Sequence, residues 1–145
     1  MSLQTPRAQI VAGEARRLCG TRYRLHGRDP VHGIDCIGLC WLSLAAAGIR
    51  CEAPNGYALR GGTVKQVERF MSGIGLTRIG EYGGQSPRRW RDGDIMLTRP
   101  APLQLHMIIG AAGGMVHAHA GLRKVVFSRA GRLGELLAIF RLLEE

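Results

Sequence analysis

Cys36 is the residue of this chain whose type and position are best suited to nucleophilic chemistry. It follows a polar loop and begins an apolar run of helical character. A thiol in the first turn of a helix faces the positive end of the helix dipole and unpaired backbone amides, which favour the thiolate. Since the thiolate is the nucleophilic form, we predict that Cys36 is a nucleophile. The alternative is a buried structural cysteine, which is the commoner fate of a lone cysteine.

Two of the histidines are placed to supply the base that a cysteine nucleophile needs, and the group that orients this base. His106 opens an apolar run after a Pro-containing turn, and His117 follows eleven residues later. Gly113-Gly114 between them is a strong hairpin signal. We therefore expect the two imidazoles near the same end of a hairpin, where one can hydrogen-bond the other and fix its tautomer. His119 is predicted at the rim of the site, and an exchange of roles with His117 stays open.

The same residue types permit a zinc-site interpretation, which we do not favour. Cys40 lies one helical turn after Cys36, and His117 and His119 project to one face of a strand. A structural zinc site needs four ligands, usually in closely spaced Cys and His pairs, and the sequence has no second such pair. We therefore predict no metal and no cofactor, with Cys40 in the core.

The elements that must position these residues are predicted from hydrophobic periodicity. Spacings of three and four residues predict helices over 4–19 and 36–47, with Asp35 as the N-cap of the second, and a short amphipathic helix over 64–71. Short apolar or β-branched runs separated by Gly, Pro and Asp are typical of antiparallel strands, and they cover 76–80, 94–98, 105–111, 115–118, 124–128 and 138–142. Helices followed by strands indicate an α+β domain.

Length and composition limit the class of protein. The 145 residues are 46% hydrophobic and 21% charged, without repeats or a linker-like segment, so we expect a single globular domain over 1–145. No apolar run has membrane-spanning length, and the N-terminus lacks the continuous apolar stretch of a secretory signal, so we expect synthesis in the cytoplasm. The four cysteines are expected to be free thiols.

The charge is strongly basic, with a formal net charge of +9. This favours an anionic partner, either a nucleic acid or a cell-wall polymer rich in carboxylates. The arginines are scattered along the chain, and no nucleic-acid-binding motif is present, so we predict no nucleic-acid partner.

Five segments, in chain order, resemble the NlpC/P60 family of cysteine peptidases. They are counterparts of five features of the family: a Gly-Thr-Pro-Tyr segment, the nucleophile motif Gly-x-Asp-Cys-Ser-Gly-Leu, a Pro-Gly-Asp-Leu strand entry, the catalytic His and a Val-His-Ala segment. The five segments are, in that order, Gly20-Thr21-Arg22-Tyr23, Gly33-Ile34-Asp35-Cys36-Ile37-Gly38-Leu39, Trp90-Arg91-Asp92-Gly93-Asp94-Ile95, His106 and Met115-Val116-His117-Ala118.

The resemblance implies a papain-like fold, with N-terminal helices packed on a mostly antiparallel sheet. It also implies hydrolysis of peptidoglycan stem peptides, usually at the bond from γ-D-glutamate to a diamino acid. Cys36, His106 and His117 would form the catalytic triad. Tyr23 would lie near the nucleophile and help to stabilise the oxyanion. Substrate contacts are expected from Tyr23 and from Asp35, Ile37 and His119, which complete the set of predicted site residues.

Three departures separate the chain from the usual family pattern. Ile37 replaces the Ser that helps to hold the substrate's free amine, Ile108 stands where a small residue is usual, and 23–27 is an eroded Tyr-x-x-Gly-Gly segment. The motif without Ser resembles a subgroup found in phage tails and gene-transfer agents, which implies action at the cell wall with particle proteins as partners. Two alternatives stay open: a non-catalytic tail-tip structural or assembly protein with the same fold, and an acyltransferase or amidase acting on another amide.

Overall fold

The fold is taken from a computed structural model that describes residues 5–52, 62–79, 90–129 and 134–143. Within these ranges the helices are α1 (Arg7–Arg17), α2 (Cys36–Ala46) and α3 (Val64–Gly73). The strands are β1 (Arg28–Asp29), β2 (Gly33–Ile34), β3 (Leu76–Arg78), β4 (Ile95–Ala101), β5 (Gln104–Ala111), β6 (Gly114–His119), β7 (Lys124–Ser128) and β8 (Glu135–Leu142). No helix in these ranges is long and apolar enough to cross a membrane.

A six-stranded sheet in the order β3-β8-β4-β5-β6-β7 forms the centre of the molecule, and its described pairings are antiparallel. Helices α1 and α2 pack on it, with contacts to β5. Val11, Leu39, Ile109 and Phe140 are each fully buried in the shared core. Burial of each such side chain contributes about 1.5–3 kcal/mol relative to exposure. The predicted α+β class, with N-terminal helices on an antiparallel sheet, is confirmed.

Helix α2 begins at Cys36 because the residue before it is a strong N-cap. The Asp35 side chain accepts a hydrogen bond of 2.9 Å from the backbone N–H of Gly38. A side chain at Gly38 would collide with the carbonyl group of Gly27, so the preceding loop packs directly on the first turn of the helix. The predicted helix start, and with it the position of Cys36 at a helix N-terminus, is confirmed.

The predicted elements differ from the observed ones mainly at their ends. Pro6 is extended and precedes α1, so this helix is shorter than predicted. The loop predicted over 21–34 contains the two-residue strands β1 and β2, which are too short to show a periodicity. The β5–β6 turn is Ala112-Gly113, with φ values of 50° and 75°, one residue before the predicted Gly-Gly pair. Residues 53–61 of another predicted loop lie outside the described ranges.

Candidate active site

The candidate site lies where strands β5 and β6 part. These strands pair only between Ile109–Ala111 and Gly114–Val116. In contrast, β5 stays paired with β4 as far as His106, and β6 stays paired with β7 as far as His119. The sheet is therefore split between β5 and β6 at this end, and side chains can meet in the opening.

His106 and His117 lie on the two sides of this opening. His106 Nε2 is 3.3 Å from His117 Nδ1, and the rings meet edge to face with centroids 5.4 Å apart. In such a pair one nitrogen donates and the other accepts. If His106 carries its proton on Nε2, its Nδ1 keeps a lone pair that can accept a proton, while His117 fixes the ring orientation. The structure thus brings the two imidazoles together as the hairpin signal predicted.

Both imidazoles are neutral at pH 7 because they are buried beside each other. Burial lowers the pKa of His106 to about 4, assisted by the nearby charges of His117 and His119. The pKa of His117 is also lowered to about 4, again mainly by burial and then by His119. A neutral imidazole is the form that can act as a base.

The Cys36 thiol, at 2% exposure, lies at the same opening. Burial raises its pKa to about 12, and the charge of Asp35 acts in the same direction. The Met107 backbone N–H, which follows His106 directly, hydrogen-bonds the sulfur and lowers the pKa, as do the N–H of Cys36 itself and the charge of Arg28. The expected thiolate at the helix terminus is therefore wrong for this resting structure, since burial outweighs the N–H groups and the thiol keeps its proton.

Asp35, at 1% exposure, is fully engaged by its own surroundings. In addition to the Gly38 bond, its carboxylate accepts hydrogen bonds from Arg28 Nη1 at 2.9 Å and from the backbone N–H of His26 at 2.8 Å. Sequence reasoning missed Arg28, because only the β1–β2 pairing brings it beside this carboxylate. Ile37 is 3% exposed. Neither of these predicted substrate-binding side chains is open to a substrate in this structure.

A small apolar cavity lies beside the residues that follow Cys36 and His106 in the chain. Ile37 and Met107 form the part next to the site, and the wall continues with Cys40, Trp41, Leu44, Cys51, Phe70 and Met71. Cys40 is 3% exposed, so its predicted position in the core is confirmed. The cysteines are free thiols, and in the described ranges no group of three or more His, Cys, Asp or Glu side chains is arranged to hold a metal ion.

Tyr23 and His119 border the opening. Burial raises the pKa of Tyr23, followed by the charges of Asp35 and Cys36, which lie close to its hydroxyl. The His119 ring centroid is 5.5 Å from that of His117, and its Nδ1 accepts the backbone N–H of Leu122 at 3.0 Å. His117, rather than His119, contacts His106, so His117 has the position expected of the residue that orients the base.

Comparisons with known proteins show that this chain is similar in structure to several solved proteins. Neither a scan against protein-family models nor a search of curated proteins finds a match. NlpC1 from Trichomonas vaginalis has a TM-score of 0.66 at 16% identity, over 95% of this chain and 45% of that chain. This chain spans about half the length of NlpC1 and of NlpC2 from the same organism.

Two proteins of Mycobacterium tuberculosis with this fold differ in activity. The peptidoglycan hydrolase RipB has a TM-score of 0.58 at 20% identity, over 96% of this chain and 66% of that chain. RipD, described as a non-catalytic NlpC/p60 domain protein adapted to peptidoglycan binding, has a TM-score of 0.60 at 16% identity, over 97% of this chain and 100% of that chain. The similarity to the phage-type subgroup stays a prediction. The chain itself has the NlpC/P60 fold.

Proposed function

We propose that this protein is a cysteine hydrolase that cleaves peptidoglycan stem peptides with Cys36 as nucleophile. The observation that carries the proposal is the meeting of three groups at one opening of the sheet. The His106–His117 pair lies at 3.3 Å, and the Cys36 sulfur accepts the N–H of the residue next to His106. A nucleophile, a base and a group that orients the base are the parts that covalent catalysis needs.

In the proposed mechanism, the neutral imidazole of His106 takes the thiol proton on Nδ1 as the sulfur attacks the amide carbonyl. The Nε2–H donates to His117 Nδ1 throughout, which holds the ring in place. His106 then gives the proton to the leaving amine, and an acyl-enzyme remains until water, deprotonated by the same imidazole, releases the acid. The Cys36 N–H and the Tyr23 hydroxyl stabilise the oxyanion, where one such donor contributes about 10²–10³ in rate.

The substrate class rests on resemblance and on the fold. RipB and the SagA domain, which share this fold, are described as peptidoglycan hydrolases, so we propose peptidoglycan peptides as the substrate. By the motif resemblance, the bond is that between γ-D-glutamate and a diamino acid. Also by resemblance, the protein acts at the cell wall together with phage-tail or related particle proteins.

The test is a digest of purified peptidoglycan by the wild-type protein, by Cys36→Ala and by His117→Ala, with released muropeptides identified by mass spectrometry. Cys40→Ala is the matched control, because it removes a second buried thiol from the same helix. We expect fragments cut beside D-glutamate from wild type and Cys40→Ala, none from Cys36→Ala, and a reduced yield from His117→Ala. Equal digests from wild type and Cys36→Ala would refute the assignment of the nucleophile.

A second candidate function is non-catalytic binding of cell-wall peptides or assembly into a particle. The burial of Cys36, with a pKa of about 12, favours it, because a protonated and covered thiol is a poor nucleophile. RipD provides a precedent for this fold without catalysis. Binding of muropeptides by the wild-type protein without release of fragments, under conditions where a known hydrolase cuts the same preparation, would favour this candidate.

A further inference from the structure

The strand register places basic side chains side by side, starting at the imidazole pair. His119 on β6 is the register partner of Lys124 on β7, and Lys124 is in turn the partner of Arg22. Side chains of directly opposed residues lie on the same face of a sheet. We call His119, Lys124 and Arg22 the basic row. Since His119 shares its face with His117, the row leads away from the His106–His117 pair.

The outer part of this row holds two cations, Lys124 and Arg22, directly opposite each other. The bonds from Tyr23 N–H to the Arg123 carbonyl and from Val125 N–H to the Thr21 carbonyl enclose Arg22 and Lys124 as a non-hydrogen-bonded pair. In such a pair the Cα atoms are only about 4.5 Å apart, and like charges there are destabilising. Both side chains are exposed, and no acidic residue in the described ranges forms an ion pair with either one. An anionic ligand would relieve this repulsion.

We propose that the basic row is a subsite for carboxylates of a peptide bound at Cys36. This inference rests on the proposed function and specifies its substrate as an anionic peptide. Strand spacing places β7 about 10 Å and the Arg22 segment about 15 Å from β5, and long Lys and Arg side chains can span part of this distance. An extended peptide advances about 3.4 Å per residue, so carboxylates about one to three residues from the reacting carbonyl are within reach.

Tyr23 supports this division of the site. It is adjacent to Arg22 in an extended segment, so its side chain points to the opposite face. There it lies near Asp35 and Cys36. In the described sheet, the two faces communicate only where β5 and β6 are unpaired, so a peptide bound in that opening would meet Tyr23 on the side of Cys36 and the basic row on the side of the imidazole pair.

The experiment measures binding of the stem peptide L-Ala-γ-D-Glu-diaminopimelate-D-Ala to Cys36→Ala protein by calorimetry. The peptide is used with free carboxylates and with its carboxylates converted to carboxamides. Each form is titrated into three proteins. The first carries Cys36→Ala alone, the second (the basic-row variant) also carries Arg22→Gln and Lys124→Gln, and the third also carries Lys65→Gln and Arg69→Gln. The last pair removes two exposed cations from α3 and is the matched control for net charge.

We expect the Kd of the acid peptide to rise about ten-fold in the basic-row variant, in line with two exposed charge contacts. The amide peptide and the α3 control should show no such change. The difference should shrink as NaCl is raised, because exposed charges are screened. The row variant should keep its thermal stability or gain slightly, since a like-charge pair is removed.

Three results would overturn the proposal. The acid peptide could bind the basic-row variant as tightly as its parent, it could bind no more tightly than the amide peptide, or it could fail to bind. Hydrolysis by the protein with Cys36 intact is followed in parallel. Cleavage without row-dependent binding would refute the proposed subsite and support the proposed hydrolase activity. Row-dependent binding without cleavage would support the proposed subsite and refute the proposed hydrolase activity.

Discussion

Arg28 is expected to be one of the strongest single contributors to the stability of the candidate site. Its Nη1 lies 2.9 Å from the Asp35 carboxylate, and the two side chains are 19% and 1% exposed. Arg28→Met keeps the apolar stem of the side chain and leaves a buried carboxylate without its counter-charge. Removing one partner of a buried pair costs about 3–5 kcal/mol. Because the N–H groups of Gly38 and His26 still bond Asp35, we expect about 3 kcal/mol.

The assay is urea unfolding of the wild type, Arg28→Met, Asp35→Asn and the double variant. Asparagine is also a good N-cap, so Asp35→Asn removes the charge and keeps a cap for α2. The double variant should therefore be more stable than the sum of the single effects, with a coupling energy of about 1–3 kcal/mol. Arg69→Met, an exposed arginine on α3, should change the free energy of unfolding by less than about 0.5 kcal/mol.

Additive effects, or an Arg28→Met protein as stable as Arg69→Met, would refute the reasoning that Arg28 compensates the charge of Asp35. The same variants report on the reactivity of Cys36, the proposed nucleophile. Since Arg28 lowers the pKa of Cys36 and Asp35 raises it, Arg28→Met should slow alkylation of Cys36 by iodoacetamide, and Asp35→Asn should accelerate it.

Three further predictions concern pH, a second ion pair and thiol reactivity. Because His106 and His117 have folded-state pKa values of about 4, below the ordinary 6.5, the unfolded chain binds more protons between these values. The free energy of unfolding should therefore be fully maintained above pH 6.5 and fall toward pH 4, by up to about 1.4 kcal/mol per pH unit for each group. Urea titrations at several pH values check this, and the fall should flatten in a variant with both histidines replaced by Gln. Asp94→Ala should destabilise the fold by about 3 kcal/mol in the same assay, because it removes the buried partner of Arg141, which donates to it at 2.9 and 2.8 Å. Wild-type stability in Asp94→Ala would contradict this. In the folded protein, mass spectrometry should find Cys36 alkylated only slowly at pH 7.5, and the rate should rise up to alkaline pH because its pKa is about 12. A rate that is already maximal at pH 7 would indicate a thiolate.

Local signals in the sequence predicted two features of the candidate site, the helix start at Cys36 and the meeting of His106 with His117. Asp35 before an apolar run predicted the start of α2, and the cap is formed by its side chain. The turn signal between His106 and His117 predicted a hairpin, and the imidazoles lie 3.3 Å apart. Both predictions depend on residues close together in the chain, for which capping and turn preferences are informative.

Features that depend on distant segments were not predictable. The pKa of Cys36 follows from burial by the packed domain, whereas the sequence shows only its helix position. Arg22 meets Lys124 because the segment before the nucleophile loop pairs with the start of β7, and no local pattern indicates that pairing. Asp35 was assigned to the substrate by resemblance, and its engagement by Arg28 depends on the short β1–β2 pairing.

The parting of β5 and β6 also has a mechanical consequence. The sheet is joined across this line by three register pairs and a two-residue turn, while the strands on either side are bound to their outer neighbours over longer ladders. The line is therefore held by fewer pairs than the β4–β5 and β6–β7 ladders on either side of it. A small rotation about it would lengthen the distance between His106 and His117 and uncover the sulfur of Cys36. Amide hydrogen exchange at Met107 and Ala118, on the two sides of the seam, should be faster than at Ile109 and Val116, where the ladder is closed.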